Sequence, residues 1–176
     1  MPKLFVFSNA SVLRTTLLDE QDHPIYKIHT PKKLLHSTTT ITRYSRPSSQ
    51  EAESERDEEE MARIHWRYIQ HSRLVLEGKI FTMSNMLERT GFCGRDRKFT
   101  APDGLEYKWV MRRHSMKLVL NDTSDTVVVK FHEGSPGFFS PKRRSYLEIF
   151  PNGQHMIDII VSTFVYLEWK RRESRR

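Results

Sequence analysis

Residues 156–169 read MIDIIVSTFVYLEW, and the conformation of this stretch decides the fold of the whole chain. Ten of its fourteen residues are apolar, so it belongs in an interior whatever its secondary structure. Wound as a helix, it keeps only a thin polar stripe around Asp158 and Ser162, which lie one turn apart. A helix that is apolar nearly all round is enclosed by protein or by lipid. At ~1.5 Å per residue it is about 21 Å long, short of the roughly 20 residues that span a bilayer. Local propensity pulls the other way, because Ile157, Ile159, Ile160, Val161, Thr163 and Val165 are β-branched and suit a buried strand. Length favours the helix: fourteen residues without Gly or Pro exceed an ordinary strand. Asp158 near the start and Lys170, Arg171 and Arg172 past the end also match the helix dipole. The expectation is a core helix with Ile160 and Phe164 in its packed interior.

Upstream, the chain reads as short strands at hairpin spacing. Residues 4–7, 12–18, 25–29 and 38–44 are four candidates. From Arg63 to Tyr68 the alternation is strict, with Ile64, Trp66 and Tyr68 on one face and Arg63, His65 and Arg67 on the other. Residues 73–76 and 79–83 form a hairpin about Glu77-Gly78. The clearest block runs from Phe99 to Trp109, a strand, a Pro102-Asp103-Gly104 turn and a returning strand. Tyr107, Trp109 and Met111 share its apolar face, while Lys108 and Arg112 project from the opposite one. Residues 117–120 and 126–131 flank another polar turn, and 146–150 is the last strand before Pro151-Asn152-Gly153. Ten to twelve strands followed by one apolar helix indicate a barrel or sandwich around that helix.

At this point the chain resembles a known group. SVLRTTLLDEQDHPIYKIHT (11–30), TTTITRY (38–44), FTAPDGLEYKW (99–109) and HMIDIIVSTFVYLE (155–168) carry the resemblance, which spans residues 5–168. They are similar to a fungal family of unknown function grouped with the Tubby C-terminal-like and LURP-one-related proteins, and more distantly with phospholipid scramblases. Asp103-Gly104 with Tyr107 and Trp109, and His155-Met156-Ile157-Asp158 leading into Thr163-Phe164-Val165, are its most specific pieces. The resemblance implies a mainly β fold: a closed antiparallel barrel of about twelve strands with a central hydrophobic C-terminal helix. It also implies no enzymatic activity.

A length of 176 residues fits a single domain over 1–176. The span 46–60, RPSSQEAESERDEEE, lacks any large apolar residue and reads as a flexible or disordered acidic insertion. Its net charge is −5 against +7 for the whole chain, leaving +12 on the remainder. Residues 170–176, KRRESRR, form a basic tail. Such an excess favours an anionic partner: nucleic acid, phospholipid or an acidic protein. The equally weighted alternative is a solvated domain whose acidic loop screens its basic face. One cysteine, Cys93, excludes an intrachain disulfide framework. No apolar run reaches transmembrane or signal-peptide length, so the expectation is an intracellular protein, cytoplasmic or peripheral to a membrane, with nuclear residence as a further option.

Catalytic patterns are missing: no phosphate-binding loop, dinucleotide fingerprint, nucleophile elbow or zinc-protease motif occurs. The eight histidines lack metal-ligand spacing, and neither a metal nor another cofactor is expected. Basic clusters remain. Lys142, Arg143 and Arg144 follow Phe138 and Phe139, a combination that suits a membrane interface as well as a barrel-end cap beside solvated cations. Lys108 with Arg112 and Arg113 forms a second patch, and the tail a third. Trp66, Tyr107 and Trp109 join Ile160 and Phe164 as core. The reading is a non-enzymatic module recognising anionic phospholipid or phosphoinositide through exterior cations. A protein-interaction or scaffold domain that self-associates is the alternative, and nucleic-acid binding is third, for want of a recognition helix or stacking platform. A barrel filled by its own helix leaves binding to rims and outer faces.

Overall fold

The computed structural model describes residues 1–31, 37–45, 58–67, 71–135, 137 and 143–175. Alternation of apolar and polar residues produces the strands in chain order. They are β1 (Lys3–Phe7), β2 (Arg14–Leu18), β3 (Pro24–His29), β4 (Thr38–Tyr44), β5 (Glu58–His65), β6 (Arg73–Leu76) and β7 (Lys79–Thr82). A single helical turn, α1 (Met83–Met86), leads into β8 (Glu88–Thr90), β9 (Asp96–Thr100), β10 (Glu106–Met111), β11 (Met116–Leu120), β12 (Val127–His132) and β13 (Tyr146–Ile149). A short 3-10 segment, Pro151–Met156, then enters α2 (Ile157–Glu173).

Among the described residues all thirteen strands belong to one antiparallel sheet, in the order β7-β6-β5-β4-β3-β2-β1-β13-β12-β11-β10-β9-β8. Neighbours are hairpin partners except β1 and β13, whose pairing (Phe5 opposite Leu147) joins the two ends of the chain. The mainly β fold with a C-terminal helix matches the sequence reading. Two details differ. There are thirteen strands rather than about twelve, because Glu88–Thr90 pairs with β9 although it has no apolar alternation. The ladder is also not closed, since β7 and β8 are its free edges. In place of hydrogen bonds, α1 sits at this seam, touching β7 and β9, with Met83 and Leu87 buried.

The acidic span is shorter than expected. Glu58, Glu59 and Glu60 are not loop but the start of β5, opposite Tyr44, Arg43 and Thr42. Cations on neighbouring strands make this register favourable: Lys27 meets Glu58 at 3.3 Å and Arg43 meets Glu59 at 2.7 Å. Residues 46–57 lie outside the described residues. A bulge opposite Ile41 and Thr42 inserts Met61, so Met61 and Ala62 are both buried and the alternation resumes in phase for Ile64 and Trp66.

The sheet wraps α2. Phe164 touches Phe7 of β1, Trp109 of β10 and Phe131 of β12, with ring centroids 5.8, 6.1 and 4.9 Å away. From the other side Trp66, following β5, stacks on Tyr166 at 5.5 Å, and Met61 receives the Ser162 hydroxyl. Ile160 and Phe164 are fully buried, as is Trp109, and Trp66 and Tyr107 are nearly so. The polar stripe is satisfied internally: Ser162 and Thr163 donate back to the carbonyls of Asp158 and Ile159. Thr163 also accepts the Trp109 indole N–H at 3.1 Å. Asp158 takes the Tyr26 hydroxyl at 2.5 Å and Arg43 at 2.6 Å, pinning the start of α2 to β3 and β4. Just before the helix, a Cβ on Gly153 would come within 2.5 Å of the Val128 side chain, so only glycine lets this segment lie against β12.

Candidate functional site

With the interior filled, open space is found at the two barrel ends. The end around the start of α2 holds a cleft of about 810 Å³ lined by Met1 to Phe5, Tyr26 and Arg43. Its Arg43 and Tyr26 are already engaged, because Arg43 bridges Asp158 and Glu59 while Tyr26 donates to Asp158. The opposite end, around the last turns of α2, holds a cleft of about 990 Å³ with different chemistry. Eight of its fourteen lining residues are Arg or Lys and none is acidic, so its lining is strongly basic.

Three parts of the chain build this cleft. The β8–β9 corner supplies Arg89, Arg95 and Arg97. Arg89 and Arg97 are register partners across the ladder, and Arg97 is in turn paired with Trp109, so this row of the sheet carries side chains on the barrel's inner face. The segment after β10 adds Arg112, Arg113 and His114. The end of α2 adds Lys170, Arg171 and Arg175, with Tyr166 as the floor. The helix presents its negative dipole end here, which favours cations gathering around it.

Part of the positive charge is neutralised within the fold. Glu168, 0% exposed, is held by Arg171 and Arg172, each at 2.6 Å. Arg171 also donates to the carbonyls of Arg112 and Arg113, stitching the helix end to the β10–β11 loop. Arg112 pairs with buried Asp96 at 2.7 Å, Lys170 with Glu173 at 3.0 Å and Arg175 with Glu133 at 3.1 Å. Arg89, Arg95 and Arg113 have no ion pair among the described residues, while Arg97 feels the charge of Asp96 without a direct ion pair. Arg97 instead donates to the carbonyls of Gly94, Arg95 and Asp96 at 2.6 to 3.1 Å, holding the corner in place. Burial, with Arg89 beside it, pushes the Arg97 guanidinium below its ordinary pKa range. A negative group in the cleft would offset the repulsion between Arg89 and Arg97.

The residues singled out from the sequence scatter. Arg112 and Arg113 line the cleft together with the tail cations Lys170, Arg171 and Arg175. These last are not a free tail, since α2 continues to Glu173 and carries Lys170 and Arg171 on its final turns, while Arg175 just beyond it is held by Glu133. Lys108 does not join them; it lies on the outer wall, paired with Asp125 at 3.1 Å. Arg143 bridges Ser135 through its backbone, and Arg144 pairs with Asp22 at 3.0 Å. Phe138, Phe139 and Lys142 lie outside the described residues. Arg89, Arg95 and Arg97 escaped the sequence reading, because they are spread over nine residues without a contiguous basic run. The one available signal was the glycine-punctuated stretch Gly91-Phe92-Cys93-Gly94 amid arginines.

A family model described as "Family of unknown function (DUF6593)" matches residues 10–173. No curated protein matches the chain. An X-ray structure of a protein from Arabidopsis thaliana superposes with a TM-score of 0.52 at 12% sequence identity, covering 99% of this chain and 92% of the other. At that identity the likeness concerns the fold.

Proposed function

This chain belongs to the DUF6593 family of unknown function, and we propose that it is a non-enzymatic binding module for anionic phospholipid, phosphoinositide included. The observation that carries the reading is the cleft at the end of α2: eight of its fourteen lining residues are Arg or Lys, none is acidic, and Arg89, Arg95 and Arg113 have no ion pair among the described residues. Guanidinium groups suit phosphate because their planar fork donates two parallel hydrogen bonds and stays charged at any physiological pH. The site is a rim site, as expected of a barrel whose interior is occupied. The sequence resemblance to Tubby C-terminal-like proteins, which recognise phosphoinositides through basic residues of the barrel exterior, supports the same chemistry. Among the described residues no helix is long and apolar enough to cross a membrane, so the reading invokes surface binding rather than a helical anchor.

Vesicle flotation tests it. The protein is expected to float with phosphatidylcholine vesicles containing phosphatidylinositol bisphosphate and to be lost as salt rises from 0.1 to about 0.5 M, where the Debye length falls to a few ångströms. R89Q with R113Q removes two unanswered charges and no described ion pair, and is expected to cut recovery about tenfold or more. Equal recovery with neutral and anionic vesicles would overturn the proposal.

A second reading, a scaffold domain that self-associates, draws on the open seam. The edge strand β7 leaves Ile80 69% exposed beside unpaired backbone groups, a surface suited to strand pairing.

A further inference from the structure

The corner that supplies Arg89, Arg95 and Arg97 also carries the most exposed aromatic side chain of the described residues. Phe92 is 92% exposed, whereas the next exposed large apolar residues inside the chain, Ile80 and Leu105, reach 69% and 50%. Burying a Phe is favourable, so full exposure forgoes a stabilising contribution. Nothing local requires it, because Phe92 makes no ring contact with the core and belongs to no strand.

The corner is rigidly built. Gly91, Cys93 and Gly94 all have positive φ (73°, 58° and 59°), turning the chain sharply on both sides of Phe92. Gly91 packs directly on Asp96, leaving no room there for a Cβ. The carbonyls of Gly94, Arg95 and Asp96 converge on the Arg97 guanidinium from beneath. An apolar ring is thus held at the rim of the arginine cleft, two residues from Gly94 in its lining. An exposed aromatic ring near cations is the same combination of residue types that the sequence showed at Phe138 to Arg144.

We infer that the β8–β9 corner is a membrane-docking tip: Phe92 enters the acyl boundary of an anionic leaflet while Arg89, Arg95 and Arg113 meet its phosphates. The occupant is a lipid surface rather than a free anion, because a soluble phosphate would use the cations and leave the ring in water. The inference rests on the anionic-phospholipid reading above and adds the depth and orientation of binding to it. The α2 end of the barrel faces the membrane, and the Arg43–Asp158 end faces away.

Cys93, the only cysteine, is exposed beside Phe92 and gives a reporter in the unaltered chain. Labelled there with an environment-sensitive nitrobenzoxadiazole dye, the protein is expected to shift its emission to the blue with phosphatidylinositol bisphosphate vesicles. Soluble inositol hexakisphosphate should produce no such shift. In unlabelled protein, F92S should lower vesicle recovery roughly tenfold, the cost of removing one aromatic ring from apolar surroundings. Its affinity for inositol hexakisphosphate, measured by titration calorimetry, and its melting temperature should match wild type. Flotation of wild type with no dye shift, or undiminished flotation of F92S, overturns the docking tip and leaves the phospholipid reading standing. Binding of inositol hexakisphosphate without vesicle recovery also overturns the tip, in favour of a soluble polyphosphate ligand. Wild type that binds neither overturns the phospholipid reading itself, and the tip with it.

Discussion

Asp103 shows how a turn residue becomes a tertiary anchor. In the Pro102-Asp103-Gly104 corner its carboxylate accepts the Leu105 N–H, the Tyr107 hydroxyl at 2.6 Å and a hydrogen bond with His155 Nε2 at 2.8 Å. Partial burial works against its charge, but these bonds win and hold its pKa below the usual carboxylate range. Tyr107 is pushed up to about 12 by burial and by the bond it gives. The sign for Asp103 follows from a lowered folded pKa: its stabilisation is complete above the unfolded value of about 4 and is lost as pH falls through the folded value. Urea unfolding of D103N should therefore show lower stability than wild type at pH 7 and a gap that closes as pH drops below about 4; a gap independent of pH would refute this. The turn was legible from Asp-Gly between two strands. Its partner His155 was not, because it arrives from the segment before α2, 52 residues away. The resemblance had picked out both stretches, and this hydrogen bond, with Trp109 to Thr163, is why they go together.

At the scale of elements, α2 carries the fold. Its β-branched residues argue for a strand locally, yet a strand could not present side chains in every direction at once. Phe164 meets β1, β10 and β12 while Tyr166 meets the chain after β5, which a helix at the barrel axis achieves. Truncating Phe164 to Ala should cost about 3–5 kcal/mol, because strands hydrogen-bonded to one another cannot collapse into the space. That is a large share of a typical ~5–15 kcal/mol domain stability, and a drop of roughly 6–20 °C in melting temperature is expected; a shift of no more than about 2 °C would show that the helix is not the core. The elements missed from the sequence were those without periodicity. Glu88–Thr90 has no apolar residue, and Glu58–Glu60 resembles solvated chain because its partners are the cations of β3 and β4 rather than the core.

For the whole molecule, the unclosed seam and the charged cleft are the two features that no single element contains. If the seam mediates self-association through β7, light scattering should show a dimer that I80K converts to monomer, since a lysine at an edge opposes strand pairing. A wild-type monomer at every concentration would remove that reading. The cleft was half legible: Arg112, Arg113 and the terminal cations stood out as runs, whereas Arg89, Arg95 and Arg97 gained meaning only when β8 and β9 brought them to the end of α2. By itself the sequence determined a mainly β barrel or sandwich, the hairpin order and the buried C-terminal segment, because apolar periodicity, turn residues and length are local quantities; the choice of barrel came from the family resemblance. Tertiary structure alone decided which Lys and Arg side chains among the described residues lack an ion pair. An ion pair depends on distances across the sheet, and the acids at Asp96, Glu133 and Glu168 neutralise some of this basic cluster while leaving Arg89, Arg95 and Arg113, near an exposed Phe92, without an ion pair among the described residues.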